Sequence, residues 1–145
     1  MKYSNEIEIN LPIEKVVALF DNPNNMSIWM EGLQSFEHLS GTPGQSGARS
    51  KLIFNNGNRT MEMTETIITR NLPDEFTGSY ETKGVYNIVS NKFIPLGPYQ
   101  TKYISEQEFE FSGIMKLIAF LMPGAFKKQS MKYLENFKKF AEGQP

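Results

Sequence analysis

The sequence predicts an α+β fold: about six to seven antiparallel strands in one sheet, with helices gathered to one side and a long helix last. Three observations carry this. Two-residue apolar alternation recurs in short segments between Lys2 and Phe111. Gly, Pro and Asn clusters separate those segments as turns. A helical period then takes over from Gly113 onwards. Runs of strands followed by helices indicate an α+β layering rather than alternating βα units. The 145 residues suit one domain, 1–145. A chain of that length buries roughly 68–70% of its unfolded surface, enough for a core and a cavity.

Each element can be justified in order. Tyr3, Asn5, Ile7 and Ile9 share one face of a first strand, Lys2–Ile9. Pro12 suits a first helical position, and Val16, Val17, Leu19 and Phe20 continue with helical spacing to Asp21-Asn22-Pro23. Asn22 or Asn24 can cap a second short helix through Met26, Ile28 and Trp29. Strands follow at Leu33–Ser40, Ala48–Phe54, Arg59–Thr69, Glu75–Thr82, Val85–Ile94 and Tyr99–Phe111. The turns between them are Gly41–Gly47, Asn55–Asn58, Leu72–Asp74, Lys83-Gly84 and Pro95–Pro98. Asn56-Gly57 is the strongest, because a tight hairpin needs positive φ.

The last segment, Gly113–Glu142, has two apolar phases. At about 100° per residue, Ile114, Leu117, Ile118 and Leu121 form one stripe. Phe126, Tyr133, Leu134, Phe137, Phe140 and Ala141 form another, rotated by about 140° under the same spacing. One straight helix cannot bury both against one sheet. Pro123-Gly124 lies at the phase change, so a kink or break is expected there. Lys127, Lys128, Lys132, Lys138 and Lys139 fall mostly on a solvated face.

Composition removes several functions. With 15 Lys plus Arg against 16 Asp plus Glu, the net charge of -1 offers no general hold on a phosphate backbone, so no nucleic-acid partner is expected. Zero cysteines exclude thiolate chemistry, and one histidine excludes a multi-histidine zinc site; no metal and no cofactor is expected. The N-terminal residues carry no apolar core of signal-peptide length, and the apolar Ile114–Met122 is far short of the about 20 residues a membrane span needs. A soluble cytoplasmic protein is expected. Gly41–Gly47 lacks a following Gly-Lys-Ser/Thr and reads as a connecting or gating loop, not a phosphate cradle.

The order of elements resembles the helix-grip superfamily, which includes START lipid-transfer domains, polyketide cyclases and dehydrases, and plant pathogenesis-related ligand binders. Ile7–Val16 looks like the family's strand followed by a Pro-started helix. Asp21–Trp29 resembles its second helix, Gly44 and Gly47 its glycine-marked turn, and Phe126–Glu142 its grip helix. The resemblance spans nearly the whole chain. It implies a curved sheet around the C-terminal helix, an apolar cavity between them, and no universal catalytic residues, since fold alone does not assign function.

Alternation then nominates cavity residues. Met61, Met63, Glu65 and Ile67 share the face expected to point inward. Glu65 is the most informative: a carboxylate on an apolar face is a ligand anchor or general acid, or else an ion-paired edge residue facing Arg49 or Arg59. Asn87, Thr101 and Gln107 either add polar groups to the cavity or face solvent. His38 is a base candidate or an exposed strand residue. Trp29, Tyr80, Tyr103, Phe109 and Phe111 are ligand-facing or core. Met115 and Phe120 lie off the main stripe of Ile114–Met122, so they face the cavity, a homodimer partner or a membrane surface; burial between sheet and short helices is the default. The expected ligand contacts are Trp29, Met61, Met63, Glu65, Tyr80, Asn87, Tyr103, Met115 and Met122. The leading expectation is a binder of a small hydrophobic molecule. Two others stand beside it: a cyclase or dehydrase using Glu65 and His38, and an interaction or stress-response module.

Overall fold

The computed structural model describes residues 1–145, apart from the side chain of Asn56. Seven strands form one antiparallel sheet: β1 (Lys2–Ile9), β2 (Leu33–Ser40), β3 (Arg49–Asn56), β4 (Arg59–Asn71), β5 (Glu75–Thr82), β6 (Val85–Gly97) and β7 (Gln100–Phe111). Their spatial order is β1-β7-β6-β5-β4-β3-β2. From β2 onwards each strand pairs with the next, and β1 pairs with β7. The chain crosses from one sheet edge to the other through α1 (Ile13–Asp21), a 3-10 turn (Pro23–Asn25) and α2 (Met26–Trp29). It ends in α3 (Ile114–Leu121) and α4 (Pro123–Glu142).

Several boundaries move for local reasons. Pro12 is the cap before α1, in extended backbone with ψ 147°, rather than its first helical residue. Its carbonyl accepts from the N–H groups of Lys15 and Val16 at 3.1 Å each. The Asn22 side chain accepts from the Asn24 N–H at 3.0 Å, capping the 3-10 turn. Asn56 pairs with Arg59, so the hairpin loop is Gly57-Asn58, with Gly57 at φ 66° in its first position. Strand β6 continues through Pro95 to Gly97, where the register shifts and the missing proline N–H is tolerated. Further register shifts lie in the β2–β3 and β4–β5 pairings. Such irregularities raise local twist and bend the sheet.

The solid core sits at one end of the concave face. Ile9, Val16, Phe93, Tyr103, Leu134, Phe137 and Ala141 are all buried there. Phe20 of α1 is their hub, with ring centroids 5.0 to 5.9 Å from Trp29, Phe76, Phe93, Tyr103 and Phe137. Ser130, Leu134, Phe137 and Ala141 recur every three or four residues and form the buried stripe of α4. The helix is tied along the edge strand β1. Tyr3 Oη donates to the Phe126 carbonyl at 3.0 Å. Asn5 Nδ2 donates to the Lys127 carbonyl at 3.2 Å. Lys138 Nζ donates to the Glu8 carbonyl at 2.6 Å.

The phase change in the C-terminal segment is a full break. Met122, at φ -133° and ψ 57°, ends α3, and Pro123 opens α4 at a first-turn position that suits it. The expected burial of α3 does not hold. Ala119 is its only buried residue, while Ile114 is 74%, Phe120 81% and Leu121 66% exposed. Helix α3 touches β7 and the start of α4, but no layer lies above it.

Candidate functional site

Between the concave sheet face and the helices lies a cavity of about 640 Å³. Strands β2 to β7 supply its floor; α2 and the N-terminal half of α4, through Phe126, Gln129, Ser130 and Tyr133, supply its roof. Exposed wall residues such as His38, Pro43 and Met61 mark where it opens to solvent. The Glu31–Lys132 ion pair, at 2.7 Å, spans the rim between α2 and α4. At the core end, Arg70 of β4 grips Asp21 of α1 through two parallel hydrogen bonds of 2.5 Å. That bidentate pair pins the end of α1 to the sheet.

Strand register explains the polar groups inside. His38 pairs with Ser50, Ser50 with Glu65, Glu65 with Tyr80, and Tyr80 with Asn87. These five residues therefore form one row across five strands, and all five line the cavity. The rows on either side are mainly apolar, with Met63 and Ile67 flanking Glu65 along β4. With strands about 4.8 Å apart, His38 and Glu65 stand roughly 10 Å apart, two strands away.

Glu65 is the centre of this row. It is 5% exposed. Tyr80 Oη donates to Glu65 Oε2 at 2.8 Å. Burial raises the Glu65 carboxyl above the ordinary carboxylate range, and the Tyr80 hydrogen bond only partly opposes this. Tyr80 is itself held well above the usual phenol value by burial and by the adjacent carboxylate, so it stays a donor. Neither Arg49 nor Arg59 pairs with Glu65; the expected ion pair is replaced by a phenol from the neighbouring strand. The site can thus accept a hydrogen bond, or donate one when Glu65 is protonated, inside an apolar enclosure.

Other polar groups are already engaged. Tyr103 Oη donates to Asn91 Oδ1 at 2.7 Å. Asn87 Nδ2 donates to Gln107 Oε1 and to the Glu108 carbonyl, both at 3.1 Å. Gln107 Nε2 donates to Ser105 Oγ at 3.1 Å. Among the described residues, Trp29 Nε1 is the buried side-chain polar atom without a partner.

Of the residues expected to contact ligand, Trp29, Met61, Met63, Glu65, Tyr80, Asn87, Tyr103 and Met115 line the cavity. Met122 does not: it sits at the α3–α4 break, 58% exposed. Thr101 is not in the wall either. It is fully buried and donates to the Leu11 carbonyl at 2.9 Å, holding the β1–α1 link. Phe111 stacks on Phe109 at 5.4 Å, outside the wall that Phe109 joins. The Asp21–Arg70 clamp and Gln129 of α4 carry no local signal in the chain, and Tyr133, marked by its place in the second apolar stripe, joins the cavity wall. Among the described residues, no group of three or more His, Asp or Glu side chains gathers as a metal site would.

The comparisons agree with this geometry. The family model described as polyketide cyclase / dehydrase and lipid transport matches residues 1–142. The chain belongs to that family. Its architecture is the helix-grip fold. The Zhui aromatase/cyclase from Streptomyces sp. R1128 superposes with TM-score 0.81 at 10% identity, covering 98% of this chain and 93% of that one. A conserved protein from Geobacillus kaustophilus gives 0.79 at 17% identity, covering 97% and 95%. Norcoclaurine synthase from Thalictrum flavum, in complex with dopamine and hydroxybenzaldehyde, gives 0.74 at 15% identity, covering 100% and 88%. At such identities the likeness is one of fold. Comparison with curated protein sequences yields no match. No helix among the described residues is long and apolar enough to cross a membrane.

Proposed function

We propose that this chain, a single domain over residues 1–145, binds a small hydrophobic molecule of lipid or polyketide type in its cavity. The carrying observation is the cavity itself: about 640 Å³, within the usual range of ligand sites, walled by Met, Phe, Ile and Val with one buried carboxylate at its centre. Met side chains adapt to irregular shapes, which suits a ligand of variable outline. Glu65 with Tyr80 meets the ligand's one polar group, a hydroxyl or carbonyl. The norcoclaurine synthase of similar fold holds two small aromatic molecules, which supports a ligand of comparable size. Native mass spectrometry of freshly purified protein, followed by titration with fatty-acid and polyketide-like probes, tests this. Bound mass or saturable uptake at one molecule per chain is expected; a protein that carries nothing and takes up no probe refutes it.

A second reading makes the same site an acid–base enzyme of the cyclase or dehydrase type. The observation favouring it is Glu65, a raised-pKa carboxyl inside an apolar cavity. Glu65 would transfer the proton while Tyr80 positions it, and His38 would act only through a substrate spanning the gap. Turnover of a polyketide-like probe that Glu65→Gln abolishes, with probe binding retained, separates enzyme from carrier.

A further inference from the structure

Helix α3 is the one element whose sequence and placement disagree. Its inward face is only Met115 and Ala119, one turn apart: Met115 lines the cavity and Ala119 is buried. Everything else apolar points out. Ile114, Leu117, Ile118, Phe120 and Leu121 are 38% to 81% exposed, and Met122 continues the patch at 58%. A contiguous apolar surface of this kind marks a binding face.

The charges around it select the occupant. From Phe111 to Leu134 the chain holds four lysines and no Asp or Glu. Lys116 lies at the rim of the apolar face, about 100° from Leu117 around the helix. Lys127 and Lys128 follow one turn into α4, both exposed. Lys83 stands in the β5–β6 turn, whose Gly84 carbonyl accepts from the Ser112 N–H at 3.0 Å just before α3. Lys83, Lys116, Lys127 and Lys128 have no ion-pair partner among the described residues, whereas Lys132, the fourth lysine of that stretch, pairs with Glu31 at 2.7 Å. The nearest acids in the paired strands are Glu81 and Glu110. They alternate with the cavity-facing Tyr80, Thr82 and Phe109, so they point to the opposite sheet face.

We infer that α3 is a docking helix for a bilayer surface rich in anionic headgroups. It would lie in the interfacial plane, with Leu117, Phe120 and Leu121 in the acyl boundary and the lysines at headgroup level. A second copy of the chain fits less well. A two-fold interface presents the same patch twice and would set the lysine rims against each other with no acid to meet them. The position also has a consequence for the cavity. Met115 of α3 is a cavity wall and packs beside Gly84 of the β5–β6 turn. Docking through α3 therefore sets that end of the cavity at the membrane. The docking itself does not depend on what the cavity holds.

Vesicle flotation tests this, with phosphatidylcholine vesicles alone and with added phosphatidylserine. The protein floats with the phosphatidylserine vesicles, and far more weakly with phosphatidylcholine. Each of Lys116→Gln, Lys127→Gln and Lys128→Gln weakens binding about fivefold, and raised salt weakens it further. Phe120→Ser with Leu117→Ser abolishes flotation, while the melting temperature stays near that of the parent because both side chains start exposed. No flotation with either vesicle, or flotation unchanged in the Phe120→Ser/Leu117→Ser variant, overturns the inference. So does a dimer in sedimentation velocity that the same double variant dissociates, since the face then belongs to a second copy. Both readouts stand apart from cavity binding, which the probe titration measures separately.

Discussion

Replacing Glu65 by Gln tests the electrostatics of the cavity. The amide keeps the shape and still accepts from Tyr80 Oη, which donates at 2.8 Å in the parent. Only the charge is lost. Burial raises the carboxyl above its ordinary value of 4.5, and in the unfolded chain Glu65 titrates near that ordinary value. The sign follows from which state holds the proton. Below pH 4.5 both states are protonated, and the stabilising contribution of Glu65 is complete. As the pH rises, the unfolded chain releases its proton while the folded one keeps it. Stability is then lost at about 1.4 kcal/mol per pH unit until the folded carboxyl also ionises. The Gln variant has no such loss. Urea unfolding at a series of pH values from 4 to 8 should therefore show the parent falling relative to Glu65→Gln, then levelling. Parallel curves, or a parent that gains on the variant as the pH rises, would mean that the carboxylate is hydrated or paired. Glu65 would then not be a buried acid.

The remaining expectations concern core, turn and cavity. Phe137→Ala removes a fully buried ring packed on Phe20, Trp29 and Tyr103, and should cost about 3–5 kcal/mol in urea unfolding. Gly84→Ala places a side chain at φ 79°, 3.0 Å from Met115 Cγ and 3.1 Å from the Ser112 carbonyl, and should cost about 1–2 kcal/mol by the same measurement. Val89→Phe extends into the cavity floor and should abolish uptake of a fatty-acid probe while shifting the melting temperature little, because it occupies open space.

The architecture was legible in the chain because its signals are local. Alternation in Lys2–Ile9 and Arg59–Thr69 follows from the pleat, and the break at Pro123 follows from a helix that cannot bury two stripes at once. What pairs across strands was less legible. Met61, Met63 and Ile67 announce an inward face for Glu65, yet its partner Tyr80 is set by the β4–β5 register, which local sequence does not encode. Thr101 shares the inward alternation of Tyr103 but serves the Leu11 carbonyl, a contact 90 residues distant in sequence. Helix α3 is the instructive miss. Apolar content reports that a face avoids water, not what covers it, so Ile114–Leu121 read as core although the fold leaves it uncovered.

Trp29 gives the most direct test of the central claim, that the cavity is a ligand site. It is the only tryptophan in the chain, buried and in the cavity wall, so its emission reports on that space alone. Titration with an environment-sensitive apolar fluorophore such as anilinonaphthalene sulfonate should quench Trp29 and transfer energy saturably, ending at one probe per chain. Val89→Phe should remove both signals. Trp29 emission that stays constant while the probe brightens elsewhere, or transfer that survives Val89→Phe, would contradict the account.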